Sequence, residues 1–445
     1  MSPASPTSPT YASDVEASIN KAPPEYTEMK HRIHRKLLER INLERLAEID
    51  APRVRQEVRT AVAALVEEEQ RSLGQWSKDL VIDQVLNEVF GLGPLEPLMQ
   101  DPTISDILVT THEKVYVERN GRLVKTPVRF KDATHLQRII QKIVARVGRR
   151  VDESSPMVDA RLPDGSRVNA VIAPVSVDGP VLSIRRFARN PLTASDLVAK
   201  GSLTQDMLTL LAACVRARLN MLVTGGTGTG KTTLLNVLSS YIAEDERIIT
   251  IEDTAELQMR QDHVVRMETR PPNIEGGGAI KQRQLVINSL RMRPNRIILG
   301  EVRGEEALDM LQAMNTGHDG SLATIHANSC RDAISRLEMM VGLVNPNISM
   351  HSIRHQITSA INVYVHVARL SDGSRRVTQI AESQGMRGRD ALLRDLFLFE
   401  KTGLAEDGAV KGRFRGTGVK AGLIEKLRRS DQPVALSLFE SVVEV

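Results

Sequence analysis

The stretch GGTGTGKTT, residues 225–233, decides the fold of the second half of this 445-residue chain. The apolar runs MLV, residues 221–223, and LL, residues 234–235, predict a strand before the stretch and a helix after it. Its glycines let successive backbone N–H groups point at phosphate oxygens, and the helix directs its positive dipole end to the same place. The predicted phosphate-binding residues are Gly225, Gly226, Thr227, Gly228, Thr229, Gly230, Lys231, Thr232 and Thr233.

Lys231 and Thr232 complete the G-x4-G-K-[ST] pattern of a P-loop. Lys231 supplies a positive charge for the β- and γ-phosphates, and the hydroxyl of Thr232 can ligate Mg²⁺. A nucleotide with Mg²⁺ is therefore the predicted ligand. A P-loop does not hydrolyse by itself, because other groups must hold the metal and orient a water for in-line attack.

Acidic residues follow two further apolar runs. RIILGE, residues 296–301, has the form of a Walker B strand that ends in Glu301. The carboxyl ends of parallel strands share one edge of a sheet, so we expect Glu301 to lie near Lys231. TIEDTAE, residues 250–256, also begins at a strand end and offers Glu252, Asp253 and Glu256. One of these could activate or orient the attacking water, and each could instead be structural.

Histidines and arginines complete the candidate set. His318 and His326 bracket a predicted strand in TGHDGSLATIH, residues 316–326. No further ligands stand at a spacing that suits zinc, which leaves packing, capping, γ-phosphate sensing or a subunit contact. Guanidinium groups suit phosphate and transition-state charge, although any one of them could be solvated or ion-paired. The candidate arginines are Arg161, Arg167, Arg185, Arg186 and Arg303.

Composition and periodicity divide the chain into five segments. Residues 1–26 are rich in Ser, Pro, Ala and Thr and predict a disordered tail, because few apolar side chains offset the ordering entropy. Helical spacing predicts a three-helix bundle over 27–90. Short strands around one helix predict an α/β domain over 91–190, and 191–200 is its linker. Strand–helix alternation over 201–445 predicts a largely parallel sheet covered by helices, with a C-terminal helical and β extension.

The predicted elements of the two α/β regions have definite bounds. In the first region, strands are expected over 104–109, 115–118, 123–130, 168–173 and 181–187, and a helix over 136–147. In the second, strands are expected over 220–224, 247–251, 296–299 and 322–325, and helices over 205–217 and 232–242.

The overall composition narrows the class of protein. The net charge of +4 and the 3% aromatic content argue against a nucleic-acid translocase with a basic groove and stacking aromatics. Cys214 and Cys330 show no CxxC spacing, which fits a reducing compartment. No apolar run approaches the roughly 18 residues of a membrane span. We therefore expect a cytoplasmic protein that reaches a membrane through partners.

Four motifs in one order carry a family resemblance. The P-loop, TIEDTAE, RIILGEVRG and TGHDGSLATIHANS resemble the Walker A, Asp-box, Walker B and His-box motifs of the type II/IV secretion ATPase superfamily. GLGPLEPLMQDPTISDILV, VYVERNGRL, MVDARLPDGSRVNAV and RPPNIEG resemble the branch that powers Tad pilus assembly, the CpaF type. The resemblance covers residues 30 to 395. The absence of the four-cysteine zinc module of type II secretion relatives favours the Tad branch, whereas GGGAIK, residues 276–281, departs from the charged loop expected there.

The resemblance implies a homo-hexameric ring. Each subunit would pair a PAS-like N-terminal domain with a RecA-like ATPase domain, with nucleotide between them. Hydrolysis of ATP with Mg²⁺ would drive pilus platform proteins at the inner membrane in assembly, and retraction stays open. A RecA-like nucleic-acid translocase and a nucleotide-gated scaffold with little turnover are the alternatives.

The resemblance also implies roles for individual residues. Arginines of the N-terminal domain would reach nucleotide in the same or a neighbouring subunit. By position, Lys231 and Thr232 would bind phosphate and Mg²⁺, and Glu301 would be the Walker B acid. Glu256 would be the general base, and His318 and His326 occupy the His-box positions.

Overall fold

The computed structural model describes residues 28–30, 32–33, 36–37, 51–68, 78–187, 191–270, 272, 277–418 and 422–445. The predicted disordered tail, 1–26, lies outside the described residues. The chain divides into two compact units, Met1–Ala188 and Arg189–Val445, which are described separately below.

The first unit begins with helices that share one aliphatic cluster. The described residues between 28 and 37 are helical, and they are followed by α1, Ala51–Glu68, and α2, Lys78–Phe90. Apolar side chains at helical spacing pack together, among them Ile33, Val58 and Val85. The carboxyl end of α2 is held by Lys142, whose Nζ donates to the carbonyls of Glu88 and Val89 at 2.8 and 2.6 Å.

A six-stranded antiparallel sheet in the order β3-β2-β1-β6-β5-β4 forms the rest of the first unit. The strands alternate between buried apolar and more exposed polar residues, as in β5, where Val168 and Ala170 are buried and Arg167 and Asn169 are not. Helix α4, Ala133–Arg146, joins the same apolar core after the short helix α3, Glu96–Gln100. The strands are β1 Ile104–Thr111, β2 Lys114–Arg119, β3 Arg122–Lys125, β4 Met157–Arg161, β5 Arg167–Val171 and β6 Val181–Arg185.

Three sequence expectations differ from this fold. The strand expected over 123–130 is the shorter β3, and β4 was not predicted, because its exposed Met157 and polar Asp159 weaken the apolar pattern. The predicted linker, 191–200, contains helix α5, Ala194–Ala199. A capping box begins α5, since Thr193 Oγ1 accepts from the backbone of Asp196 and the Asp196 carboxylate accepts from the backbone of Thr193.

The second unit is built on a ten-stranded sheet in the order β16-β15-β14-β13-β12-β7-β11-β10-β8-β9. The strands from β12 to β9 in this order run parallel, and β13 to β16 extend the sheet by antiparallel pairing. The strands are β7 Met221–Thr224, β8 Ile248–Glu252, β9 Val264–Glu268, β10 Arg296–Val302, β11 Leu322–Ile325, β12 Val363–Arg369, β13 Arg375–Arg387, β14 Asp390–Leu404, β15 Val410–Gly416 and β16 Val442–Glu444.

Helices cover both faces of this sheet. The central strand β7 directs Met221 and Val223 into one apolar cluster and Leu222 into the other, so every residue of the strand is buried. This arrangement confirms the predicted α/β class. The helices are α6 Gln205–Arg216, α7 Lys231–Ser239, α8 Gln282–Ser289, α9 Glu306–Asn315, α10 Cys330–Val344, α11 Met350–Ala360 and α12 Leu423–Arg429. Across the ranges described, no helix is both long enough and apolar enough to cross a membrane.

Candidate nucleotide-binding site

The candidate site lies at one edge of the parallel sheet. Ile325 at the end of β11 is in register with Thr224 at the end of β7 and with Val302 at the end of β10. The same edge therefore holds Gly225 after β7, His326 after β11 and Glu301 near the end of β10. The sheet accounts for the convergence of three motifs that are far apart in sequence.

The loop after β7 has the backbone of a phosphate cradle. Gly225 packs against the carbonyl oxygen of Val367, and a Cβ on this glycine would overlap that oxygen. Gly228 and Gly230 have φ angles of 68° and 97°, in the left-handed region that favours glycine. Helix α7 begins at Lys231, immediately after Gly230, so the unpaired N–H groups of its first turn lie at the loop.

Lys231 links the loop to the two neighbouring strands. Its Nζ donates to the carbonyl of Gly226 at 2.8 Å and lies 3.2 Å from Nε2 of His326. The same Nε2 lies 3.2 Å from Oε1 of Glu301. These contacts place Glu301 near Lys231, as expected from the sequence.

His326 stands between a cation and an anion. Burial, followed by the positive charge of Lys231, lowers the pKa of His326, although Glu301 acts in the opposite direction. A neutral imidazole carries one ring proton, so Nε2 can accept from Lys231 or donate to Glu301, but it cannot do both at once.

Glu252, the last residue of β8, is buried and shapes the turn that follows it. Its Oε1 accepts from the backbone N–H groups of Glu256 and Leu257, both at 2.9 Å. Gly300 leaves room for this carboxylate, since a Cβ there would lie 2.8 Å from Cγ of Glu252. Burial raises the pKa of Glu252 to about 7. Within the described residues, Oε2 is buried without a hydrogen-bond partner.

The other acidic residues of TIEDTAE differ from Glu252. Asp253 forms an ion pair with Arg303, which brings that predicted arginine to the edge of the site. Glu256 is half-buried in the turn that Glu252 holds. Glu252 thus has a structural task, and Glu256 is the less buried of the two carboxylates. The assignment of a general base stays a prediction.

The structure does not bring His318 to the P-loop. His318 precedes β11, whereas His326 follows it, and β11 is an extended strand of 4 residues. A strand of that length separates its two ends by about 13 Å. The N–H of His318 instead donates to the carbonyl of Ala313 at 3.2 Å. His318 therefore lies at the end of β11 away from the P-loop, and a contact of His318 with nucleotide stays a prediction.

Three of the four predicted arginines of the first unit form one row. Arg167 is directly opposite Arg161 on β4 and Arg185 on β6. The row lies on the sheet face away from the apolar core, as the burial of the alternate residues shows. Guanidinium groups suit phosphate oxygens. That this row contacts nucleotide stays a prediction.

Arg186 has a different role from this row. Its guanidinium donates to the carbonyl of Ile104 at 2.8 Å and to the carbonyl of Asp101. These bonds join the end of β6 to the start of β1. That Arg186 binds nucleotide stays a prediction.

Sequence reasoning did not find the contacts made by β12 and β13. His366 on β12 is in register with Thr224, next to the P-loop, and burial lowers its pKa. Nε of Arg375, the first residue of β13, donates to the carbonyl of Gly228 at 2.8 Å. No motif marks these residues, because only the placement of β12 beside β7 brings them to the loop.

The family model described as "Type II/IV secretion system protein" matches residues 88–411. The chain belongs to the type II/IV secretion system protein family. This confirms the resemblance at the level of the superfamily.

Curated relatives in this family are similar over most of their own length. A protein of Mycobacterium tuberculosis H37Rv named for conjugal transfer is 39% identical over 308 residues, which are 68% of this chain and 87% of the relative. The type IV secretion system protein VirB11 of Brucella suis is 30% identical over 315 residues, which are 64% of this chain and 87% of the relative. The crystal structure of the VirB11 ATPase from Brucella suis covers 68% of this chain and 96% of its own, with 28% identity and a TM-score of 0.37.

The donor set of this family member fits a magnesium nucleotide. Mg²⁺ is usually held by one or two protein groups together with phosphate oxygens and water, and Thr232 and Glu301 could supply those groups. Bound Mg²⁺ would neutralise charge on the β- and γ-phosphates. In the parts of the chain that are described, no group of three or more His, Cys, Asp or Glu residues is placed to hold a metal.

Proposed function

We propose that this chain hydrolyses ATP with Mg²⁺ and that, as a homo-hexameric ring, it powers assembly of a Tad-type pilus through inner-membrane platform proteins. The observation that carries the enzymatic part is the chain of contacts from Lys231 through His326 to Glu301. It joins the P-loop to the Walker B strand and the His box at one sheet edge. The Tad branch rests on sequence motifs, most of which lie in the first unit.

Each residue of the site has a task in this proposal. The N–H groups of the P-loop and the first turn of α7 bind phosphate oxygens. Lys231 exchanges its contacts with Gly226 and His326 for the β- and γ-phosphates. Glu301 and Thr232 hold the metal, and Glu256 takes a proton from the attacking water.

A secretion or conjugal transfer apparatus is the second candidate for the machinery that this chain drives. The names of the curated relatives favour it, since they refer to conjugal transfer and type IV secretion. The chemistry at the P-loop would be the same in both cases. Replacing Glu301 by Gln in the source organism separates them, because loss of surface filaments supports the pilus and loss of DNA or protein transfer supports the alternative.

The enzymatic proposal is tested by ATP hydrolysis per subunit over a wide range of protein concentration, with and without Mg²⁺. We expect a rate that rises steeply with concentration and is lost in Glu301→Gln, as for a site completed by a neighbouring subunit. Stimulation by single-stranded DNA would favour a translocase instead. A rate that survives Glu301→Gln would contradict the assignment of that residue.

A further inference from the structure

The turn between β12 and β13 lies against the P-loop, far from it in sequence. Val367 on β12 packs its carbonyl oxygen against Gly225. On β13, Nε of Arg375 donates to the carbonyl of Gly228 at 2.8 Å, and its Cδ would lie 3.5 Å from a Cβ on Gly230. The hairpin formed by β12 and β13 therefore contacts three glycines of the P-loop: Gly225, Gly228 and Gly230.

The contact at Gly228 determines which way one peptide unit of the loop faces. Gly228 has a φ angle of 68°, and a glycine crosses between backbone regions at little steric cost. In a planar trans peptide, the carbonyl of Gly228 and the N–H of Thr229 point in opposite directions. A guanidinium that holds the carbonyl on one side therefore directs the Thr229 N–H to the other side, where the phosphates would lie.

The hairpin is itself anchored, so that it can hold the loop. One oxygen of Asp372, in the turn, accepts from the N–H and hydroxyl of Ser374 at 2.9 and 2.6 Å. The other oxygen accepts from the N–H of Val410 on β15 at 2.8 Å. These hydrogen bonds lower the pKa of Asp372 to about 2 against the opposing effect of burial.

The charge at this turn also suits an anionic ligand. Arg369 at the end of β12 is directly opposite Arg375 at the start of β13. Guanidinium groups suit phosphate, which they can bind through two donors at once. One nitrogen of Arg369 would lie 3.9 Å from a Cβ on Gly228, so both arginines are next to the loop.

We propose that Arg375 is a positioning residue of the nucleotide site, which holds the peptide between Gly228 and Thr229 with its N–H toward the phosphates. This inference rests on the proposed binding of nucleotide at the P-loop. The bond supports phosphate binding in the ground state and the transition state alike, so its loss weakens affinity and leaves turnover nearly unchanged.

The test compares Arg375→Ala with Arg387→Ala, which removes an exposed arginine at the far end of the same strand. Measurements are the Kd for a fluorescent ADP, the KM and kcat for ATP, and the thermal midpoint. For Arg375→Ala we expect Kd and KM to rise about tenfold, the effect of one charge-assisted hydrogen bond, with kcat within about twofold. Arg387→Ala should match the unaltered chain.

A second variant keeps the test decisive if the alanine variant does not fold. Arg375→Lys retains the charge but lacks the Nε–H donor, and we expect it to raise Kd about threefold. Equal nucleotide affinity in the unaltered chain and in the folded Arg375 variants would refute the positioning role alone. Failure of the unaltered chain to bind nucleotide would instead refute the proposed function, and this inference with it.

Discussion

Replacing Glu252 by Gln tests how the turn after β8 is built. Burial raises the pKa of this carboxyl from 4.5 to about 7. Between these values the folded chain binds a proton that the unfolded chain has lost, so the contribution of Glu252 to stability is fully present below pH 4.5 and is lost as the pH rises through 7. Glutamine cannot ionise, and its amide oxygen can still accept from the backbone of Glu256 and Leu257.

The magnitude follows from the two pKa values. One unit of pKa difference corresponds to about 1.4 kcal/mol, so ionisation of Glu252 lowers the free energy of unfolding by less than about 1 kcal/mol at pH 5 and by roughly 3 kcal/mol at pH 8. Relative to the unaltered chain, Glu252→Gln should therefore gain roughly 2–3 kcal/mol between pH 5 and pH 8.

Urea unfolding followed by far-ultraviolet circular dichroism at pH 5, 6.5 and 8 measures this difference. The control is Glu244→Gln, which changes an exposed carboxylate of the same unit and should show no such trend. A stability difference for Glu252→Gln that stays constant across these pH values would refute the argument from burial.

The same variant separates the two candidate general bases. Glu252→Gln keeps the turn and should retain at least half of the ATP hydrolysis of the unaltered chain. Glu256→Gln removes the predicted base and should lower turnover by about 100-fold or more. The opposite result would assign proton transfer to Glu252.

Three further predictions follow from the structure. Arg296→Ala should lower the free energy of unfolding by about 3–5 kcal/mol, because it removes a buried guanidinium that donates to the carboxylate of Glu246 and to two backbone carbonyls. Arg218→Ala removes an exposed donor to the same carboxylate and should cost below about 1 kcal/mol in the same urea titration. Gly225→Ala should abolish binding of a fluorescent ADP, because the new Cβ would overlap the backbone oxygen of Val367. Gly226→Ala should retain binding, because the nearest atom to its new Cβ would be 3.7 Å away. Equal loss of binding in both variants would contradict this explanation. His326→Gln should lower the rate of single-turnover hydrolysis about tenfold, which corresponds to the free energy of roughly one hydrogen bond. The Kd for ADP should change little.

Motifs in the sequence located most of the site. The P-loop glycines, Lys231 and Glu301 could be assigned from local patterns, because a phosphate cradle needs consecutive residues and a Walker B strand needs an apolar run that ends in an acid. Strands β7, β8 and β11 were expected within one residue of their bounds for the same reason, and β10 was expected from the correct first residue but extends three residues further. Buried parallel strands are continuous apolar runs, and those are visible without any knowledge of their partners.

Other parts of the site could not be predicted. Local sequence could not rank Glu252 against Glu256, because both lie at the end of the same strand and only the backbone hydrogen bonds to Glu252 show that it holds the turn. The pattern placed His318 and His326 on equal terms, whereas the direction of β11 sends them to opposite edges of the sheet. Arg186 differs from the neighbouring arginines because it donates hydrogen bonds to backbone carbonyls at the start of β1, and no motif in the sequence marks that contact.

The sequence by itself determined the elements and their chemistry: a phosphate-binding loop between a strand and a helix, acids at strand ends, and an α/β class. These depend on residues that are neighbours along the chain. Only the tertiary structure decided which of those groups meet. The order of strands in the sheet places β12 beside β7, which brings Arg375 to Gly228, and β11 between β7 and β10, which brings His326 between Lys231 and Glu301. Such contacts depend on strand pairing, which is set by packing across the whole sheet and leaves no local pattern.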